Sequence, residues 1–150
     1  MIKELEHTDL LSYSLDGIIH SCNCQHIMGG GIARLIKNKF PEAYEADLKT
    51  PLSDRTKLGT FSLAVLPSNF HIYNMYGQFN IGPGRNTSYD AFDIGLRSIE
   101  EHAVNSGLSK IGLPARIGCV LGGGSWRIIH AMIYDIFSPS KLDLFICDYP

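Results

Sequence analysis

The chain has 150 residues, 45% of them hydrophobic, enough to bury one core and too few for two domains of ordinary size. Thirteen Lys and Arg against 15 Asp and Glu leave a net charge of −2 with no basic block. This excludes bulk nucleic-acid binding driven by counterion release, but not a single nucleotide held by backbone amides.

No apolar run approaches the roughly 18 residues of a membrane helix, so no membrane partner is expected. Cys22, Cys24, Cys119 and Cys147 form no CxxC pair and follow no secretory leader, which points to a reducing, cytoplasmic setting. Cys22 and Cys24, with His20 and His26 near them, suggest a metal site. They are expected on opposite sides of the chain, however, so neither a metal nor a cofactor is expected.

Ile2 to Leu5 opens as a short strand, and Gly17-Ile-Ile-His-Ser-Cys22 is a β-branched run of buried-strand type. The chain then turns through Asn23 to His26 and Gly29-Gly-Gly31 into a helix with Met28, Ile32, Leu35 and Ile36 on one face, ending before Pro41. Thr60 to Leu66 and Phe70 to Tyr76, joined through Pro67-Ser-Asn69, predict a hairpin. Gly82-Pro-Gly-Arg-Asn86 breaks the pattern. Thr87 with Asp90 then resembles a capped start for a helix whose face is Phe92, Leu96, Ile99 and Ala103, stopping at Gly107. Lys110 to Pro114 predicts another strand. Ile117 to Leu121 leads into Gly122-Gly-Gly-Ser125, where Ser125 caps a helix carrying Ile129, Met132, Ile133 and Ile136, and Leu142 to Cys147 predicts the last strand. Strands alternating with helices imply a parallel or mixed sheet covered on both faces.

Two glycine clusters therefore stand between an apolar strand and a helix start, where backbone amides can meet anionic oxygens without a Cβ in the way. Either cluster alone is equally well read as a tight turn; together they suit a diphosphate. Neither a GK[ST] loop nor a GxGxxG fingerprint is present, which disfavours a kinase or a hydride-transfer enzyme.

Ile18-Ile-His-Ser-Cys-Asn23 followed by Met28-Gly-Gly-Gly-Ile-Ala33 resembles the first ligand loop of macrodomains. Leu113-Pro-Ala-Arg-Ile-Gly-Cys-Val-Leu-Gly-Gly-Gly-Ser-Trp126 resembles their second. Within that family the chain is most similar to the branch of ADP-ribose-1″-phosphate phosphatases and ADP-ribosyl-glutamate hydrolases, with phage and yeast members. The resemblance implies one α/β domain over residues 1–150, a three-layer α/β/α sandwich around a mixed sheet, with ADP-ribose or ADP-ribose-1″-phosphate as ligand. A monomer is expected, of phage or bacterial origin.

Carried over by position, Asp9, beside Leu10, matches the acidic residue that accepts from the adenine amino group. Asn23 matches the asparagine that faces the distal ribose. Gly29, Gly30, Gly31 and Ile32 match the loop around that ribose and its phosphate, while Gly118, Cys119, Val120, Leu121, Gly122 and Gly123 match the loop along the diphosphate. Tyr149 lies near the position where many members of the family place an aromatic ring against adenine.

Glutamate-hydrolysing relatives use a lysine and an aspartate where this chain has Gln78 and Gly122, so a lysine nucleophile is lacking. A phosphatase acting on the terminal phosphate asks less of side chains. Asn23 is expected to orient the ribose and His26 to protonate the leaving oxygen. A non-catalytic ADP-ribose reader, and a hydrolase acting on ADP-ribosylated protein or nucleobase, remain as alternatives. His7, His20, His71, His102 and His130 are read as packing residues, the cysteines as inert thiols, and Trp126 as packing the second loop on its helix or filling core.

Overall fold

The computed structural model describes residues 1–149. In chain order the strands and helices are β1 (Ile2–Leu5), β2 (Gly17–Cys22), α1 (Gly31–Lys39), α2 (Pro41–Leu48), β3 (Phe61–Val65), β4 (His71–Tyr76), α3 (Tyr89–Asn105), β5 (Lys110–Pro114), α4 (Trp126–Phe137) and β6 (Asp143–Cys147). A single 3-10 turn spans Arg55–Lys57. Hydrogen bonding orders the sheet β1-β6-β5-β2-β4-β3. Every neighbouring pair is parallel except β3 with β4, which are antiparallel, so the sheet is mixed.

Side chains alternate across the strands and bury both faces, as in a sheet with helices on either side. Ile19, Tyr73, Met75, Ile111 and Leu113 pack with Phe92, Leu96 and Ile99 of α3 and Ile129, Ile133 and Phe137 of α4. Ile18, Ile72, Ala64 and Phe145 pack on the opposite face with Ile36 of α1 and Ala43 of α2. The three-layer α/β/α sandwich follows. No helix among the described residues is long and apolar enough to cross a membrane.

Four sequence expectations need correction. Pro41 does not merely end α1: it occupies the first turn of α2, where its fixed φ and missing N–H cost nothing, so a second helix follows at once. The cap of α3 is Ser88, whose Oγ accepts from Ala91 N at 3.2 Å, and not Thr87, whose hydroxyl is used elsewhere. Ser125 stands at the N-cap of α4 but makes no side-chain cap; its own amide donates to Tyr89 Oη at 2.9 Å. Leu35 is 49% exposed, because the face of α1 that carries it borders an open cleft.

Candidate functional site

The carboxyl ends of parallel strands leave a crevice in open α/β sheets, and here it is a cleft of about 830 Å³, within the usual range for small-ligand sites. Its walls are the two glycine clusters. Gly30 and Gly31 open α1 on one side, and Ile117 to Gly122 follow β5 on the other. They meet at the rim. A Cβ built on Gly30 would lie 2.9 Å from Leu121 Cδ1, and one on Gly31 3.3 Å from it, so a side chain there would turn Leu121 aside, and at Gly31 it would also be strained by the positive φ of 56°.

The N-cap of α1, Gly30, carries no side-chain cap, so the first-turn amides of Gly31, Ile32 and Ala33, residues that line the cleft, have no side-chain partner from it. The second loop is held from behind. Thr87 Oγ1 donates to Gly118 O at 2.7 Å and Gly124 N to the same oxygen at 2.9 Å, while Asn86 N and Thr87 N donate to Gly122 O at 2.8 and 3.1 Å. Nothing in composition or periodicity marks Thr87 as this strut.

Of the residues selected from sequence, Asp9, Leu10, Gly30, Gly31, Ile32, Gly118, Val120, Leu121, Gly122 and Tyr149 line the cleft. Asp9 is engaged locally: its Oδ1 accepts from Leu11 N and its Oδ2 from Ser12 Oγ, each at 3.0 Å, leaving further lone pairs on both oxygens. Gly29, Cys119 and Gly123 lie beside the lining without forming it.

The two side chains assigned to catalysis are placed differently from expectation. Asn23 turns its amide into its own loop, with Nδ2 donating to Ile27 O at 2.8 Å and Oδ1 accepting from Gln25 N at 2.9 Å. His26, at a left-handed φ of 58°, sets Nε2 2.9 Å from Thr50 O and receives Tyr44 Oη on its carbonyl at 3.0 Å. Both are fasteners of the first loop, and neither lines the cleft. Asn23→Ala is therefore expected to lower stability by about 1–2 kcal/mol through unpaired loop amides, read as a drop in Tm. Affinity for a ligand of the cleft should follow only as far as the loop loosens.

Six polar residues not selected from sequence line the cleft: Ser21, Asn38, Lys39, Gln78, Arg116 and Asp148. Ser21 has a buried Oγ with no hydrogen-bond partner among the described residues, and Gln78 Nε2 donates to Asn80 O at 2.9 Å. Ser21 was readable only as a strand residue, because its place in the cleft floor depends on where β2 ends in the sheet.

Beneath the first loop runs a buried polar chain. His20 Nε2 meets Asn74 Oδ1 at 2.6 Å, Asn74 Nδ2 donates to Ala43 O and Ser62 Oγ, and Tyr76 Oη joins Ser62 Oγ to the Asp47 carboxylate at 2.8 and 2.7 Å. Burial pushes His20 down to about 4 and pushes the Cys22 thiol well up, so Cys22 is a protonated packing group and not a nucleophile. Cys22 and Cys24 enter one small cluster with Tyr76, contrary to the expectation of opposite sides. Positions two apart in an extended chain share a face, and β2 ends at Cys22.

A doubly covered mixed sheet with a glycine-walled cleft at its carboxyl edge defines a ligand-binding α/β module. No protein-family model matches the chain. It is 35% identical over 155 residues to a 17.5 kDa protein of the tk-vs intergenic region of Enterobacteria phage T4, covering 99% of this chain and 97% of the relative. It is 27% identical over 129 residues to the human ADP-ribose glycohydrolase OARD1, covering 86% and 79%. In structure it matches the macrodomain of Mycobacterium tuberculosis DarG with a TM-score of 0.82 at 19% identity, covering 100% and 98%. The chain belongs to the macrodomain family.

Proposed function

We propose that the cleft binds ADP-ribose and its 1″-phosphate, and that the chain hydrolyses the latter to ADP-ribose and phosphate. The observation that carries the reading is the apposition of two glycine loops across one cleft, closed at the rim by Leu121 against Gly30 and Gly31. In this reading the adenine end lies among Asp9, Cys147 and Tyr149, and the diphosphate lies between Gly30 to Ile32 and Gly118 to Gly122. The distal ribose reaches Ser21 and Gln78. The relative OARD1, by name an ADP-ribose glycohydrolase, supports ADP-ribose as the ligand class.

The distal end offers amides, a hydroxyl and a carboxamide, and no lysine or carboxylate among its described lining residues. Such a site suits positioning of a terminal phosphate for attack by water on phosphorus, with the P–O bond to the ribose breaking and the anomeric oxygen leaving as a hydroxyl. The Gln78 carboxamide is the side-chain polar group at that end, and Ser21 Oγ lies buried behind it. For Asn23 to orient the ribose and His26 to protonate the leaving oxygen, the first loop has to release the hydrogen bonds that hold them. The name of OARD1 favours a second reading, removal of ADP-ribose from a modified protein or nucleobase. Gln78 and Gly122 count against the lysine–aspartate route for it.

Phosphate release from ADP-ribose-1″-phosphate, measured beside calorimetric titration with ADP-ribose, tests the proposal. Release identifies a phosphatase. Binding without release leaves the glycohydrolase, tested next on ADP-ribosylated glutamate, or a reader. No binding at all would sink the ligand assignment.

A further inference from the structure

Arg116 is a non-glycine residue in the left-handed region, with φ 60°. It lies in the short turn after β5, where Ile117 N donates to Pro114 O at 3.2 Å and Cys119 N to Arg116 O at 2.8 Å. Turns of this conformation ordinarily take glycine or asparagine, since a Cβ is strained there. Strain retained at a cleft-lining position points to use of the side chain.

The side chain is directed. Arg116 Nη2 donates to Asp148 Oδ1 at 3.0 Å, and both residues line the cleft. Asp148 is itself placed by the sheet end, its amide donating to Leu5 O at 2.8 Å and its carbonyl accepting from Thr8 N at 3.0 Å. Ala115 N is tied to Cys147 O at 2.9 Å. The guanidinium thereby sits at the end of the cleft that also holds Asp9, Cys147 and Tyr149. With half its surface exposed, the pair adds little to stability. Its effect is to bias a planar cation, through one hydrogen bond, toward the mouth of the cleft.

Resting on the ADP-ribose reading, we infer that Arg116 is a specificity-determining residue for the base: its guanidinium stacks on the purine, and Asp148 is the positioning residue that sets the plane. Arginine planes are a recurrent platform for unpaired bases, and a lysine point charge does not replace them. Purines, with the larger π-face, gain more than pyrimidines. Asp9 reads the amino group; Arg116 reads ring size.

The test uses three variants and three ligands, with calorimetry and thermal unfolding. Arg116→Gly removes the strain with the side chain, so its Tm should equal or exceed that of the parent while ADP-ribose affinity falls about 3- to 30-fold. Arg116→Lys should not restore affinity, and Asp148→Asn should give a smaller loss. The parent should prefer ADP-ribose and its inosine analogue over CDP-ribose, and Arg116→Gly should lose that purine preference while keeping the adenine-over-hypoxanthine preference. An Arg116→Gly chain that binds ADP-ribose as the parent does overturns the inference and leaves the proposed function standing. Full rescue by lysine, with the loss vanishing at high salt, overturns stacking in favour of a point charge. A parent that binds none of the three defeats the ligand assignment and this inference with it.

Discussion

Gly122→Ala is expected to bind ADP-ribose about 5- to 150-fold more weakly than the parent, the range given by overpacking of about 1–3 kcal/mol placed on the ligand loop. A Cβ at 122 would stand 2.5 Å from Thr87 Oγ1, 2.6 Å from Gly118 O and 2.8 Å from Gln78 Oε1. Gln78 Oε1, at the end of a flexible side chain, can turn aside; Thr87 Oγ1 and Gly118 O cannot do so cheaply. Gly118 O already accepts from Thr87 Oγ1 and Gly124 N, and the carbonyl of Gly122 accepts from Asn86 N and Thr87 N, so a shift at 122 pulls on the anchored loop from both ends. The cost has two outlets, a lower Tm or a displaced second loop, and calorimetry beside thermal unfolding separates them. A Gly122→Ala chain with parental affinity and Tm would show that the loop is looser than its hydrogen bonds imply.

The same crowding bears on the route of hydrolysis. Position 122 is where the resemblance places an aspartate in glutamate-hydrolysing relatives, and position 78 a lysine. The aspartate is sterically excluded by Thr87 and Gly118 O, so its absence is built into the loop. The Gln78→Lys, Gly122→Asp double variant should accordingly release no more ADP-ribose from ADP-ribosylated glutamate than the parent does.

Much of this arrangement was legible before the structure. The glycine loops announced themselves because each lies between an apolar strand and an amphipathic helix, and the faces Phe92-Leu96-Ile99-Ala103 and Ile129-Ile133-Ile136 are buried as their spacing required. Boundaries of β1, β2 and β5 agree with expectation because each is a β-branched or apolar run cut by Gly, Pro or charge. What stayed hidden depended on distant partners. α2 buries only Ala43 and Asp47 and so carries almost no periodic signal. Asn23 and His26 look like site residues by chain position, yet the Asn23 amide is held by Ile27 and Gln25 and His26 Nε2 by Thr50. Thr87, Ser21 and Arg116 matter through contacts to Gly118, the cleft floor and Asp148, none of which local sequence encodes.

His20 supplies the second large effect, a pH dependence of folding. It is fully buried, and Asn74 Nδ2 is committed to Ala43 O and Ser62 Oγ, so Asn74 Oδ1 faces His20 and makes Nε2 the N–H donor at 2.6 Å. The other ring nitrogen meets Cys22 Sγ at 3.7 Å, a poor partner for a second proton. Desolvation therefore lowers the pKa from 6.5 to about 4, outweighing the raising effects of Asn74 and of the Asp47 charge. The sign follows from which state takes the proton first. Between 6.5 and about 4 the unfolded chain binds it and the folded chain does not, so stability falls as pH falls through that window, by about 3 kcal/mol in total, and this group contributes nothing further below it. Urea unfolding at pH 7 and pH 4.5 should show the parent losing stability well beyond a His20→Gln chain, in which an amide N–H can serve Asn74 without titrating. Carboxylates titrate equally in both chains and cancel in the difference. Equal losses in the two would mean that the proton enters the folded state near the ordinary histidine value, and that the polar chain under the first loop admits a charge.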